Sequence, residues 1–238
     1  MRAAIWIAVV LSAALADYTM VQKLAGGMKQ RIYIKDDTHV RIETLDEKGN
    51  VTGGFLITGA KNYMIIREGG KERYVDAAGF MQLGRIMNEN GMVDEESPEG
   101  GVGGFKLLRK VASKRVAGLP AEEWEVELII DGVPKTERMV LSKDPAYQKA
   151  MALYIRAMER FAKQAGGEAA EEAAAYRLPG GYMVVSAEGM ELVDFKAAPL
   201  PDKIFRAPKN VGGAQGGGLE QLMQMMQQMQ GDMPPMQP

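Results

Sequence analysis

The stretch EEWEVELIIDG, residues 122–132, alternates apolar and acidic side chains with a period of two. Its apolar side chains fall on one side of an extended chain and its glutamates on the other. The apolar set is Trp124, Val126, Leu128 and Ile130. This pattern predicts a half-buried strand of an antiparallel sheet, which Asp131 and Gly132 turn back into a second strand, KTERMVLS, at 135–142.

Strand patterns also occur on both sides of this hairpin. In RIYIKDDTHVRIET, residues 31–44, Ile32 and Ile34 share one face of a strand, and Val40 and Ile42 share one face of the next. Further turns up to residue 77 extend this pattern into an antiparallel meander. GYMVVSAEGMELVDF, residues 181–195, predicts another hairpin around 187–189.

Two segments have helical periodicity. The clearer one follows Asp144, which is expected to be its N-cap, and starts with Pro145. Its apolar stripe consists of Tyr147, Met151, Tyr154, Ile155, Met158, Phe161 and Ala162. This stripe is expected to cover the apolar side of the sheet. A shorter helix is predicted at 79–90, followed by an acidic, glycine-rich loop at 91–104.

The first sixteen residues, MRAAIWIAVVLSAALA, combine one basic residue with an apolar run and a small-residue triplet. This pattern predicts a secretory signal peptide cleaved after Ala16, and the run is short for a membrane span. We therefore expect a soluble protein outside the cytoplasm, most simply in a bacterial periplasm, with no membrane span in the mature chain. The chain has no cysteine, so disulfides cannot stabilise it.

Composition argues against several functions. A formal net charge of −2 gives no basic excess for binding nucleic acid. His39 is the single histidine and lies in a predicted turn, so a histidine-based zinc site or catalytic triad is not expected. The GGVGG stretch lacks the lysine and hydroxyl residue of a phosphate-binding loop. The sequence thus predicts a protein that is not an enzyme and needs no cofactor.

The order of these elements resembles the periplasmic LolA-like superfamily, and more narrowly a secreted domain family within it. The resemblance rests on YIKDDTHVRIE, WEVELIIDG, ERMVLSKDP, the helix, the last hairpin and PDKIFRAP, and covers residues 18–209. It implies an α+β, mainly antiparallel β fold: a strongly curved, unclosed β-barrel, or half-barrel, with helices covering its concave face. Members of the superfamily shuttle lipoproteins or bind lipid-like ligands and partner proteins.

The chain is thus divided into a predicted signal peptide (1–16), a half-barrel domain (17–209) and a glycine-rich tether with a Met/Gln-rich tail (210–238). We expect the domain to bind an apolar ligand, such as a lipid, an acyl chain or lipoprotein-like cargo. The predicted cavity wall and lid are Trp124, Val126, Leu128, Met151, Tyr154, Met158 and Phe195. Ordinary core packing is the alternative for Trp124 and Phe195. Arg31, Lys35 and Arg41 are either cavity-rim residues or isolated surface charges.

The tail, LEQLMQMMQQMQGDMPPMQP at 219–238, has three interpretations. The first is a segment without a specific role. The second is an apolar helix that either closes the cavity or docks on an envelope protein. The third is a Cu(I) site. Thioether sulfur is a soft ligand suited to Cu(I). The candidate copper ligands are Met223, Met225, Met226, Met229, Met233 and Met236. The alternative functions are therefore periplasmic copper binding and an envelope adaptor role.

Overall fold

A computed structural model describes residues 16–77, 102–130, 132–165 and 178–207. The strands in these ranges are β1 (Tyr18–Leu24), β2 (Lys29–Asp36), β3 (His39–Leu45), β4 (Val51–Thr58), β5 (Lys61–Glu68), β6 (Lys71–Asp76), β7 (Val102–Val116), β8 (Leu119–Ile130), β9 (Val133–Ser142), β10 (Met183–Ala187) and β11 (Met190–Ala197). The helix α1 is Pro145–Ala165, and single 3-10 turns cover Ala25–Gly27, Pro179–Gly181 and Asp202–Phe205.

All eleven strands form one antiparallel sheet with the order β6-β5-β4-β3-β2-β1-β11-β10-β9-β8-β7. Two meanders, β1 to β6 and β7 to β11, are joined where the first strand pairs with the last, from Tyr18 opposite Ala197 to Leu24 opposite Met190. Among the described residues, the outermost strands β6 and β7 do not pair with each other, so the curved sheet stays open. The predicted half-barrel is confirmed.

The predicted meander is confirmed in β2 and β3. Ile32, Ile34 and Val40 are fully buried and Ile42 is 6% exposed, because these alternate residues point toward one face of the sheet. The hairpins β8–β9 and β10–β11 also lie where the sequence predicts them. In β8, Val126 is fully buried and Leu128 nearly so.

Strand β7 was missed, and the predicted loop at 91–104 overlaps its first three residues. The pairing of β7 with β8 skips a residue of β7 at three points, namely Gly103, Leu108 and Val111. Such β-bulges break the period-two pattern that identifies a strand in a sequence.

Helix α1 begins as predicted. The Asp144 carboxylate accepts hydrogen bonds from the backbone N–H groups of Ala146 (3.0 Å) and Tyr147 (3.1 Å). Pro145 occupies the first helical position, where no intrahelical N–H bond is needed. The Ser142 hydroxyl accepts from the Asp144 N–H and donates to the Pro120 carbonyl, which ties the start of α1 to β8.

Asp144→Ala is expected to lower the free energy of unfolding by about 1 kcal/mol, because two N–H groups of the first turn lose their acceptor. Asp144→Asn keeps a side-chain oxygen and should cost much less. Urea unfolding at neutral pH measures both. Equal midpoints for the two variants would show that this cap contributes nothing.

Helix α1 crosses the strands on the concave face. Near its start, Tyr147 donates a hydrogen bond to the Val184 carbonyl of β10, and near its end Phe161 meets Phe55 of β4. A 21-residue helix is about 31 Å long, which suits this crossing. The other expected segments, namely the signal peptide, the 79–90 helix and the Met/Gln-rich tail, lie outside the described residues.

Candidate functional site

The contact between α1 and the concave face forms the largest apolar cluster among the described residues. Tyr147, Ala150 and Ala157 of the helix are fully buried against side chains of strands β1 to β4, β8, β10 and β11. Of the predicted site residues, Met151 is buried in this cluster, and Tyr154, Met158 and Phe195 pack against it partly exposed. The structure therefore brings these four predicted residues together.

An aromatic trio lies beneath the start of α1. Phe195 stacks on Tyr18, with ring centroids 6.1 Å apart, and meets Tyr147 edge to face at 5.4 Å. Burial raises the pKa of the Tyr147 hydroxyl above its ordinary value. Tyr18 is 1% exposed, and its hydroxyl has no hydrogen-bond partner among the described residues. This end of the helix contact is closed and tightly packed.

The other end of α1 is more open. The Phe55 ring, 39% exposed, meets the partly buried Phe161 ring at 5.8 Å. Met64, the cross-strand partner of Phe55 on β5, is also partly exposed. Apolar side chains thus continue from the core to the surface. Phe55 was not among the predicted site residues, although it lies within the meander predicted up to residue 77.

Polar contacts hold this open end of the helix to the sheet. The Asp37 carboxylate, in the turn between β2 and β3, lies 2.9 Å from the Arg160 guanidinium and 3.5 Å from that of Arg156. The Asn62 amide of β5 donates a hydrogen bond to the Gln164 side chain. The arginines are about half exposed, and exposed ion pairs contribute about 0–1 kcal/mol each.

Trp124, Val126 and Leu128 lie elsewhere. Leu119 and Ala121 of β8 pack in the α1 cluster, and successive strand residues point to opposite faces. The even-numbered side chains of β8 therefore face away from α1, where a second cluster contains Val126, Leu128, Met139, Leu141, Leu178 and Tyr182. Trp124 packs against this second cluster. The seven predicted residues thus form two groups on opposite faces, and their role in ligand binding stays a prediction.

Glu122 organises the polar edge of the second cluster. Lys110 (2.5 Å), Tyr182 (2.5 Å) and Trp124 Nε1 (3.1 Å) all donate to its carboxylate. The bonds from Lys110 and Tyr182 lower the pKa of Glu122 to about 2. Burial and the bond to Glu122 raise the pKa of Tyr182 to about 12. These contacts fix the 178–182 segment on the sheet.

The three early basic residues also have defined partners on the outer face. Arg41 is 7% exposed and contacts Glu43, Glu72 and Tyr74, so it is not an isolated surface charge. Arg31 reaches Glu43 at 3.4 Å, and Lys35 pairs with Asp202. His39 lies beside the β2–β3 turn, as predicted, with its Nδ1 3.0 Å from the Asp36 carboxylate.

Within the described ranges, no three His, Asp or Glu side chains come together as metal ligands would. In these ranges no helix is both long enough and apolar enough to cross a membrane. The six methionines proposed for Cu(I) lie outside the described residues. Copper binding by the tail therefore stays a prediction.

No protein-family model and no curated protein matches this chain. Among solved structures, the chain is similar to one described as MucB in complex with MucA(peri), with a TM-score of 0.29 and 15% sequence identity. The alignment covers 87% of this chain and spans 60% of the length of that one. A likeness at this level carries no argument about family or function.

Proposed function

We propose that this protein is a soluble periplasmic binding or carrier protein, without enzymatic activity, that holds an apolar ligand between the concave face and the C-terminal half of α1. A lipid or acyl chain is the ligand class that this apolar surface suits. The observation that carries the proposal is the exposed Phe55 ring beside Phe161, where the helix contact reaches the surface. The sequence resemblance to LolA-like proteins agrees with it.

The two halves of α1 differ in a way that supports this location. In the first half, Tyr147 and Ala150 are completely buried, so these two side chains offer no apolar surface to a ligand. In the second half, Met158 and Phe161 remain partly exposed on the same stripe, as does Tyr154 just before the midpoint. Apolar surface left in contact with water favours binding of an apolar molecule, which removes that surface from water.

The side chains at the open end suit a ligand of variable shape. Met64 and Met158 are unbranched and flexible, and methionine adapts to irregular apolar surfaces. The contacts of Asp37 with the helix arginines are polar and partly solvated, so they can break and re-form at low cost. A ligand could therefore enter by shifting the end of α1 while the closed end keeps the helix attached.

Phe55→Ser is expected to weaken binding of a fluorescent fatty acid about tenfold, because burying a phenylalanine side chain is worth about 1.5–3 kcal/mol. Val193→Ser is the matched control. Val193 is also exposed (48%), but it is the bulged residue of β11 and so lies away from the β4 and β5 part of the proposed surface. Fluorescence titration of the purified mature chain measures both affinities.

Native mass spectrometry of protein isolated from periplasm adds an independent measurement. A co-purifying species that organic solvent extracts would support the proposal and identify the ligand. A clean unliganded mass together with no uptake of the fatty acid would refute it. Equal weakening by Phe55→Ser and Val193→Ser would place any binding outside the proposed surface.

A further inference from the structure

A cleft of about 420 Å³ lies between strands β2 to β4 and the C-terminal segment 198–207. Its lining residues are Lys35, His39, Thr58, Asp202, Phe205, Arg206 and Ala207. His39 and Thr58 are direct cross-strand partners, and their neighbours Val40 and Ile57 pack in the α1 cluster on the other face. The cleft is therefore on the outer face of the sheet, separate from the proposed apolar site.

A β-bulge builds one wall of the cleft. The pairing of β2 with β3 runs from Ile34 opposite Val40 directly to Asp36 opposite His39, so Lys35 is the extra residue. In a regular strand, Asp36 would share the inner face with Ile34. The bulge instead brings both Lys35 and Asp36 to the outer face, and bulges often redirect side chains in this way at functional sites.

Asp36 fixes the orientation of the His39 ring. Its carboxylate accepts hydrogen bonds from the backbone N–H and the hydroxyl of Thr38, both at 2.7 Å, and lies 3.0 Å from His39 Nδ1. Burial favours the protonated acid, but the Thr38 and His39 hydrogen bonds outweigh it and lower the pKa of Asp36. An ionised carboxylate only accepts hydrogen bonds, so Nδ1 carries the proton toward it and Nε2 is the other polar atom of the ring.

The opposite wall, formed by the C-terminal segment, carries the charged residues Asp202 and Arg206. Asp202 pairs with Lys35, and its other oxygen lies 3.9 Å from the Arg206 guanidinium. Phe205, 3% exposed, anchors this segment with its ring edge-on to His39 at 6.3 Å. Two cationic side chains from different parts of the chain thus converge on one carboxylate that is itself 60% exposed.

We propose that this cleft is a second binding site, for a small molecule or headgroup bearing a phosphate. The phosphate would take the place of the Asp202 carboxylate between Lys35 and Arg206, and His39 Nε2 would accept a hydrogen bond from a hydroxyl of the ligand. The cleft volume falls in the range of small-molecule sites, about 300–1,000 Å³, so there is room for an organic group beside the phosphate. Asp202 holds the two cations in position and competes with the ligand.

The test is calorimetric titration of the mature chain with inorganic phosphate and with glycerol phosphate at constant ionic strength. Lys35→Gln should weaken binding about tenfold, because a hydrogen bond to a charged group is lost. Lys203→Gln is the matched control, since Lys203 is exposed in the same segment but does not line the cleft. Asp202→Asn should strengthen binding several-fold because a competing negative charge is removed. Thermal melts confirm that each variant is folded.

Flotation with phosphatidylglycerol vesicles, compared with phosphatidylcholine vesicles, distinguishes a lipid headgroup from a free phosphate ester. Lys35-dependent binding in either arm supports the site and identifies the source of the phosphate. Absence of binding in both arms overturns the proposal. Equal weakening by Lys35→Gln and Lys203→Gln also overturns it, because the effect would then be one of overall charge.

Discussion

Gly54→Ala is expected to prevent stable folding, or to lower the free energy of unfolding by about 4 kcal/mol. A Cβ atom on Gly54 would lie 1.9 Å from the carbonyl oxygen of Ile42 in the neighbouring strand, far inside contact distance. The residue also has φ = +152°, a region that side chains with a Cβ avoid. Overpacking costs about 1–3 kcal/mol and a strained backbone about 1–3 kcal/mol more.

The effect should be large because β4 is an interior strand. Gly54 lies opposite Glu43 of β3 and Ile65 of β5, so the new methyl group can be accommodated only by opening the pairing on one side. Domains of this size have a total stability of about 5–15 kcal/mol. A loss of this size would therefore be visible as low expression or early urea unfolding.

Gly49→Ala is the control. Gly49 also has a positive φ, +82°, but a Cβ there would meet nothing within 4 Å. We expect this variant to lose only about 1 kcal/mol, which is the cost of the left-handed backbone alone. Circular dichroism and urea unfolding measure both proteins. If the two glycine variants had the same stability, the close approach of β3 and β4 at Gly54 would not matter for folding.

The elements that the sequence predicted correctly are those with uninterrupted periodicity. β8 pairs with β9 residue by residue from Glu122 to Ile130, so its alternation of apolar and acidic side chains is unbroken. The cap at Asp144 and the stripe of α1 are similarly local signals. Strand β7 lacks this regularity, because Leu108 and Val111 are bulged residues and are exposed rather than buried.

The arrangement of the candidate site was harder to predict because it depends on which face of each strand meets α1. Alternation identifies the apolar side of β8, but it does not say that α1 packs on the other face there. That outcome is decided by sheet pairing between distant segments, such as β1 with β11. The cleft could not be predicted for the same reason, because it depends on a contact between Lys35 and Asp202, which are 167 residues apart in the chain.

A second large effect on stability is expected from replacing Arg41, which the sequence alone does not distinguish from the other charged residues. Its guanidinium donates to Glu43 (2.9 Å), Tyr74 (2.8 Å) and Glu72 (2.7 Å), and the Tyr74 hydroxyl donates to Glu72 at 2.7 Å. Arg41 and Glu43 are both 7% exposed. The Arg41 side chain therefore neutralises two acidic groups, the buried Glu43 and the 30% exposed Glu72, beside the apolar side chains of β4 and β5.

Arg41→Met is expected to lower the free energy of unfolding by about 3 kcal/mol at neutral pH, because it leaves the Glu43 carboxylate buried without its closest cation. Arg138→Met is the control. Arg138 is 65% exposed and lies 4.0 Å from Glu125, so its loss should change stability by less than about 1 kcal/mol. Urea unfolding of both variants gives the comparison.

The pH dependence tests the cause. Burial would raise the pKa of Glu72, but the Tyr74 hydrogen bond and the Arg41 charge outweigh it and lower that pKa. A carboxyl group with a lowered pKa in the folded state stabilises the protein above its unfolded pKa, about 4.3, and this contribution is lost as the pH falls through the folded value. The stability difference between wild type and Arg41→Met should therefore shrink below about pH 4. A difference that stays constant from pH 7 to the onset of acid unfolding would mean that Arg41 acts through packing of its aliphatic stem rather than through its charge.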